Sequence, residues 1–339
     1  MGVNLGATPI ADIKLGETQV DKLYLGDELV WGGSPAPTVR ALKFTSDGAQ
    51  TLGLDSDYYH GRVNWNYEYS NDGETWSEWD VRNTLSFGNG VDLYIRGINE
   101  SFYDSSVSER VCFSFSTSSP VYCSGNLMHL LDYTQDLTTL PSGGATYMFS
   151  GCTQLVTAPD LPATEVPNNG YSGMFQGCTS LIAAPAIPVV NADTGAFKNM
   201  FSGCSSLTTA SNVGANNATF GNQCCQYMFQ GCTNLTTAPA LPATTLGGSC
   251  YYNMFSGCSL LNTIPALPAT TLGSGCYAYM FVSCRQIKMS TTQTDEYSNE
   301  FTFGADPSGK CNRMFRNTGG TFVGNPTQLT YYTANEIIR

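Results

Sequence analysis

Residues able to do chemistry are few in this chain, and they stand apart from one another. The two histidines, His60 and His129, belong to no metal-ligand or nucleophile pattern. His129 lies in Asn126-Leu127-Met128-His129-Leu130 and reads as a capping residue rather than a catalytic one. Asp55-Ser56-Asp57 and Asp72-Gly73-Glu74 carry carboxylates that could touch a calcium ion. Neither fits the twelve-residue calcium loop, so both read as turns. No phosphate-binding loop and no GxSxG elbow occurs. The thirteen cysteines lack CxxC spacing, and Cys224-Cys225 is simply an adjacent pair. The expectation is a protein that is not an enzyme and needs no metal or cofactor.

Side chains suited to binding are more plentiful. Trp76 and Trp79, with Tyr58 and Tyr59, could stack on sugar rings. The competing reading makes one Trp a core residue and the other a cross-strand partner in a hairpin. Thr157, Thr208, Thr209, Thr236 and Thr237 follow an apolar Leu in a recurring unit and could form a hydroxyl-bearing ladder. Strand alternation turns Thr208 and Thr236 away from the core. Such a face suits a glycan or a partner edge, and equally an inert solvated surface.

Bulk composition narrows the function classes. Lys and Arg number 15 against 27 Asp and Glu, a formal net charge of −12. With no basic run to neutralise phosphates, nucleic-acid binding is not expected. Over residues 142–284 the only charged residues are Asp160, Glu165, Asp193 and Lys198. That stretch must meet water with Thr, Ser, Asn, Gln, Ala and Gly. No window reaches the roughly 20 apolar residues of a membrane span. Residues 1–31 lack a basic segment followed by an apolar one, so they do not read as a secretory signal. The chain is expected to fold in a bacterial cytoplasm.

The elements that would hold these residues are dominated by a repeat. Met-Phe recurs at Met148, Met174, Met200, Met228, Met254, Met280 and Met314, with spacings of 26, 26, 28, 26, 26 and 34. Four residues after the first six come Cys152, Cys178, Cys204, Cys232, Cys258 and Cys284. Seven after come Leu155, Leu181, Leu207, Leu235, Leu261 and Ile287, and then pairs of prolines such as Pro265 and Pro268. A period of this length marks a solenoid, in which each coil buries its apolar face only against its neighbours. In Cys250-Tyr251-x-x-Met254-Phe255 the apolar positions i, i+1, i+4 and i+5 suggest a short helix, closed by Gly257. A very short strand is expected over residues 261–263, before the prolines. Cysteines stacked in one slot read as small buried fillers, expected to be reduced thiols.

The repeat resembles the BspA-type leucine-rich repeats of bacterial, especially Bacteroidales-associated, surface and phage proteins, over roughly residues 126–325. The resemblance implies right-handed coils used for adhesion, with no catalytic position among those matched. Three departures interrupt the pattern: the proline-free third repeat at Ser211-Asn212-Val213-Gly214, the stretched unit over residues 285–307, and the Gly319-Gly320 end.

Ahead of the repeats, residues 39–118 alternate apolar and polar, as in Val63-Trp65-Tyr67-Tyr69 and Val91-Leu93-Ile95. Asp72-Gly73 and Asn89-Gly90 mark hairpin turns. A small β-sandwich, immunoglobulin-like, is expected. Tyr69–Trp76 and Tyr94-Ile95-Arg96-Gly97 resemble the sandwich that precedes such repeats in related chains. Ile13-Lys14-Leu15-Gly16-Glu17 and Leu23-Tyr24-Leu25-Gly26-Asp27 are near-copies, each a strand, a Gly-acidic turn and a second strand. Two small hairpins cannot build a core alone, so Leu15, Leu23, Tyr24, Leu25, Leu29 and Trp31 need a partner. This segment resembles the N-terminal anchoring modules of phage virion proteins.

The expected fold class is therefore mixed. A β-hairpin anchor spans residues 1–32, a linker 33–38, the β-sandwich 39–122, and a leucine-rich-repeat-like solenoid of short helices and short strands 123–339. The expected function is a phage virion fibre, spike or decoration subunit. It would dock through residues 1–32 onto other virion proteins and present the solenoid to a host surface glycan or protein. A homo-oligomer is expected, with a trimer as one arrangement. A bacterial cell-surface adhesin is the alternative.

Overall fold

In the computed structural model, side chains are described for residues 39–55, 57–61, 65–104, 108–141, 143–287, 303–305 and 309–318. For residues 1–38 only the backbone of strand residues is described. Residues 1–40 and residues 41–339 are two compact units. The first contains three antiparallel hairpins: β1 (Asn4–Leu5) with β2 (Thr8–Pro9), β3 (Ile13–Leu15) with β4 (Thr18–Val20), and β5 (Lys22–Leu25) with β6 (Glu28–Gly32). Their ladders end at Leu15↔Thr18 and Leu25↔Glu28, and the Gly-acidic pairs expected as turns lie outside the described residues. The anchor side chains of Leu15, Leu23, Tyr24, Leu25, Leu29 and Trp31 lie outside the described set, as do the linker 33–38, most of the stretched unit and Gly319-Gly320.

Alternating burial builds two antiparallel sheets next. The first takes β7 (Leu42–Ser46), β9 (Tyr67–Ser70), β10 (Ser77–Trp79), β12 (Leu93–Gly97) and β16 (Val121–Ser124), in the order β10-β9-β12-β7-β16. The second is β11 (Leu85–Phe87), β8 (Gln50–Leu54) and β15 (Phe113–Phe115). A small hairpin, β13 (Tyr103–Asp104) with β14 (Glu109–Arg110), stands apart. Leu42, Phe44, Leu52, Leu93, Ile95, Phe113 and Val121 fill the interior. At Asn89 and Gly90 both φ angles are positive, 53° and 86°, between the paired Gly88 and Val91. That is the twist-matched two-residue turn expected of Asn-Gly.

The solenoid departs from expectation. Its Met-Phe coils contain no short helices among the described residues, so the mixed class is corrected to a nearly all-β fold. Among the described residues the helical element is one 3-10 turn, Leu127–Leu130, ahead of the first Met-Phe unit. Where the helix was expected, each coil is a chain of overlapping turns with a left-handed residue at every fourth position. The sets are Asn169, Gly173 and Gly177; Gly195, Asn199 and Gly203; Gln223, Tyr227 and Gly231; Ser249, Asn253 and Gly257, with the next two coils alike and φ running from 52° to 78°. A right-handed helix cannot pass through such residues.

Hydrogen bonding gives the physical reason. Along the second coil, Met174, Gln176 and Cys178 N–H groups donate three residues back, closing local turns. The alternate groups, Gly173, Phe175 and Gly177, donate to Lys198, Met200 and Ser202 on the next coil. A helix would spend every interior N–H within its own coil and leave no backbone bonds between coils. The apolar spacing of i, i+1, i+4 and i+5 fits a four-residue turn repeat as well as a 3.6-residue helix over so short a span.

The strand is also displaced. The ladder falls after the prolines, as β18 (Glu165–Val166), β19 (Asn191–Ala192), β20 (Thr219–Phe220), β21 (Thr245–Leu246) and β22 (Thr271–Leu272), each parallel to the next. Among the described residues a strand occurs in the expected place only in the first coil, as β17 (Leu155–Thr157), and one bridge joins Ala183 to Thr209. β17 pairs in parallel with β16, so the sandwich sheet runs directly into the solenoid. The proline-free third coil keeps its place, since β20 pairs on both sides.

The solenoid core is a set of stacked columns. Phe149, Phe175, Phe201, Phe229, Phe255, Phe281 and Phe315 follow one another at 5.4–5.5 Å with interplanar angles of 3–9°. Phe113 of the sandwich meets Phe149 at 5.3 Å and so heads the column. Burial of each such ring stabilises the fold by about 1.5–3 kcal/mol.

Candidate functional site

The thirteen cysteines are all buried, with no disulfide among them. Those of the Met-Phe-x-Gly-Cys slot do more than fill space. Each thiol donates to a Phe carbonyl on the preceding layer: Cys152 to Phe113 at 3.2 Å, Cys178 to Phe149 at 3.0 Å, Cys204 to Phe175 at 3.1 Å, and so on to Cys284. Burial raises these thiols well above the ordinary range, to about 12 at Cys204 and Cys258. They are protonated donors with little nucleophilic character. Cys224 and Cys225 are likewise held protonated, chiefly by burial. Among the described residues, no group of three or more His, Cys, Asp or Glu could hold a metal ion.

The other chemistry-bearing groups have structural partners. His129 lies within the 3-10 turn, whose N-cap is Asn126, and faces Asp136 at 3.7 Å. His60 stands 3.9 Å from the fully buried Glu109. Asp72 accepts hydrogen bonds from Ser70 Oγ and from the N–H groups of Glu74 and Thr75, which hold its carboxyl far below the usual carboxylate range. It closes the turn between β9 and β10.

The predicted binding residues do not converge. Trp79 is 2% exposed, packs on Tyr67 and donates from Nε1 to the Asn83 carbonyl. Trp76 is half-buried beneath the Arg96 guanidinium, 3.7 Å from its ring centre. Thr157 is turned back onto the sandwich, its hydroxyl donating to Cys123. Thr208, Thr209, Thr236 and Thr237 are exposed in neighbouring coils, and the Thr208 hydroxyl donates to Ile182.

A cleft of about 420 Å³ gathers a different set, between the β13–β14 hairpin and the first turn chains. Tyr103, Arg110, Tyr147, Asn168, Lys198 and Asn199 are among its lining residues. The Arg110 guanidinium lies 5.3–5.6 Å from the ring centres of Tyr58, Tyr103 and Tyr147, and Tyr58 stacks on Tyr147 at 5.9 Å. Arg110 Nε is buried with no hydrogen-bond partner among the described residues. Lys198, the sole cation of residues 142–284, reaches Gln223 Oε1 at 3.4 Å. Sequence reasoning passed over these residues because Arg110 and Lys198 belong to different elements and form no motif. The isolation of Lys198 in a charge-poor stretch was the one available signal.

No helix among the described residues is long and apolar enough to cross a membrane. No protein-family model, no curated protein and no solved structure matches this chain.

Proposed function

We propose that this chain is a structural subunit of a phage particle, a fibre, spike or decoration protein. It docks through residues 1–32 and presents its solenoid to a bacterial surface. The observation that carries the reading is the division of the chain. Residues 1–40 form a unit of their own, made of three hairpins of two strands each. Two-stranded hairpins are marginal in water and gain stability when a third strand or another surface covers them. An assembly partner supplies that cover, and the repeat's resemblance to phage and surface proteins agrees with it. The solenoid supplies a scaffold of stacked coils with exposed hydroxyls and amides, and in this reading its role is binding, with no catalytic step.

The test is incorporation. Particles assembled with the full chain, or with a chain lacking residues 1–32, are purified and the protein is quantified by mass spectrometry. Loss of the truncated chain from particles, with its thermal unfolding above residue 40 unchanged, is the expected result. Normal incorporation of the truncated chain would sink the anchoring role.

A further inference from the structure

We propose that the cleft between the β13–β14 hairpin and the first turn chains binds a carboxylated saccharide of the uronic-acid type, with Arg110 taking the carboxylate. The inference deepens the surface-contact reading and rests on it only for the source of the ligand.

Three observations converge. The first is charge: the chain carries −12 overall, yet among the described residues this cleft is lined by Arg110 and Lys198 and by no carboxylate. The only basic residue in 142–284 therefore stands at the same opening as an arginine from the sandwich. The second is the held guanidinium. Arg110 lines the cleft half-buried, its guanidinium 5.3–5.6 Å from the ring centres of Tyr58, Tyr103 and Tyr147. With Nε closed off from solvent, the terminal nitrogens are the ones left to meet a ligand. The planar guanidinium fork matches a carboxylate with two parallel bonds. The third is the shape and surface of the site. Its volume of about 420 Å³ lies within the range of small-molecule sites. Tyr103 and Tyr147 line it with ring surface, while Asn168, Asn199, Thr146 and Ser172 add amides and hydroxyls. Aromatic surface beside amide groups suits a sugar ring, apolar on its faces and polar at its edge. A bare anion would use the cations and leave the tyrosines idle.

Tyr147 occupies a left-handed position, with φ of 59°, and its carbonyl accepts the Cys112 thiol. Gly143, φ 84°, lies so near Tyr103 that a Cβ there would stand 2.7 Å from the Tyr103 Cβ. The aromatic walls are thus held in place by the backbone before any ligand arrives, which lowers the ordering cost of binding.

Isothermal titration of the full-length protein at low salt would use methyl β-D-glucuronoside, methyl β-D-glucoside and inorganic phosphate. The expected result is binding of the glucuronoside, with the glucoside and phosphate each weaker by about tenfold or more. Arg110→Gln should weaken the glucuronoside by about tenfold or more. Lys198→Gln should weaken it by a smaller factor, and this variant guards against misfolding, because Lys198 is half-exposed and its one bond is long. Equal binding of the glucoside would overturn the carboxylate's role, and equal binding of phosphate would overturn the sugar's. Absence of glucuronoside binding, or full binding in both variants, would overturn the site. The titration needs no particle, so its failure is distinguishable from a failure of anchoring.

Discussion

The thiol of Cys178 donates to the carbonyl oxygen of Phe149, 3.0 Å away on the preceding coil. The same carbonyl accepts the N–H of Cys152 from its own coil. One oxygen thus ties a turn shut and receives the next layer, and the relationship recurs up the stack. Cysteine suits the slot because it is small, apolar and still a donor.

Cys204→Ala should destabilise the protein by about 1–2 kcal/mol, through a lost hydrogen bond and a small cavity. Urea denaturation of the variant checks this. In the native protein the thiols should resist a water-soluble thiol reagent, and all thirteen should react after denaturation without reductant. A substantial shortfall would mean disulfides and a different stack.

These thiols also make the solenoid alkali-sensitive. The folded-state values at Cys204 and Cys258 are pushed by burial to about 12, above the ordinary 9.0. The folded state therefore holds its protons more tightly than the unfolded chain. Their contribution is fully present below pH 9.0 and is lost as pH rises from there towards about 12. Thermal melts should be steady across neutral pH and fall progressively above that threshold. A melting temperature that rises over that range would contradict the assignment.

The turn chain has its own test in the column of glycines. Gly203 has φ of 77°, and a Cβ added there would meet Gly177 Cα at an ordinary 3.7 Å. Space is therefore not what demands glycine; the left-handed backbone is. Gly203→Ala should cost about 1–2 kcal/mol. Ser283 holds the equivalent position with φ of 61°, and Ser283→Gly should stabilise by about 1 kcal/mol. Had this segment been helical, the two substitutions would act in the opposite sense.

Arg96 joins the sandwich to the start of the solenoid. Its guanidinium lies between Trp76 at 3.7 Å and Tyr133 at 4.0 Å, with Nε 2.8 Å from Glu68. Arg96→Lys should cost about 1–2 kcal/mol through lost stacking. Glu68→Gln, at a partly exposed pair, should cost less than about 1 kcal/mol. Comparable costs would shift the weight from stacking to the ion pair.

Much of this molecule was legible from residues alone. The spacing of Met148, Phe149, Cys152 and Leu155 named a repeating core, and all four are buried. Asn89-Gly90 announced its turn, and alternation such as Leu93 with Ile95 announced the sandwich. These features are local: a side chain's apolarity or a residue's tolerance of positive φ does not depend on distant contacts. What only the tertiary structure decided was where the backbone bonds go. Phe175 N–H reaches Met200 on the next coil, and that choice replaced the expected helix with a turn chain and moved the strand past the prolines. The same stacking brought Arg110 of the sandwich and Lys198 of the third coil to one cleft. Neither outcome is written in any one repeat, because a single coil has no neighbour to bond with or to face.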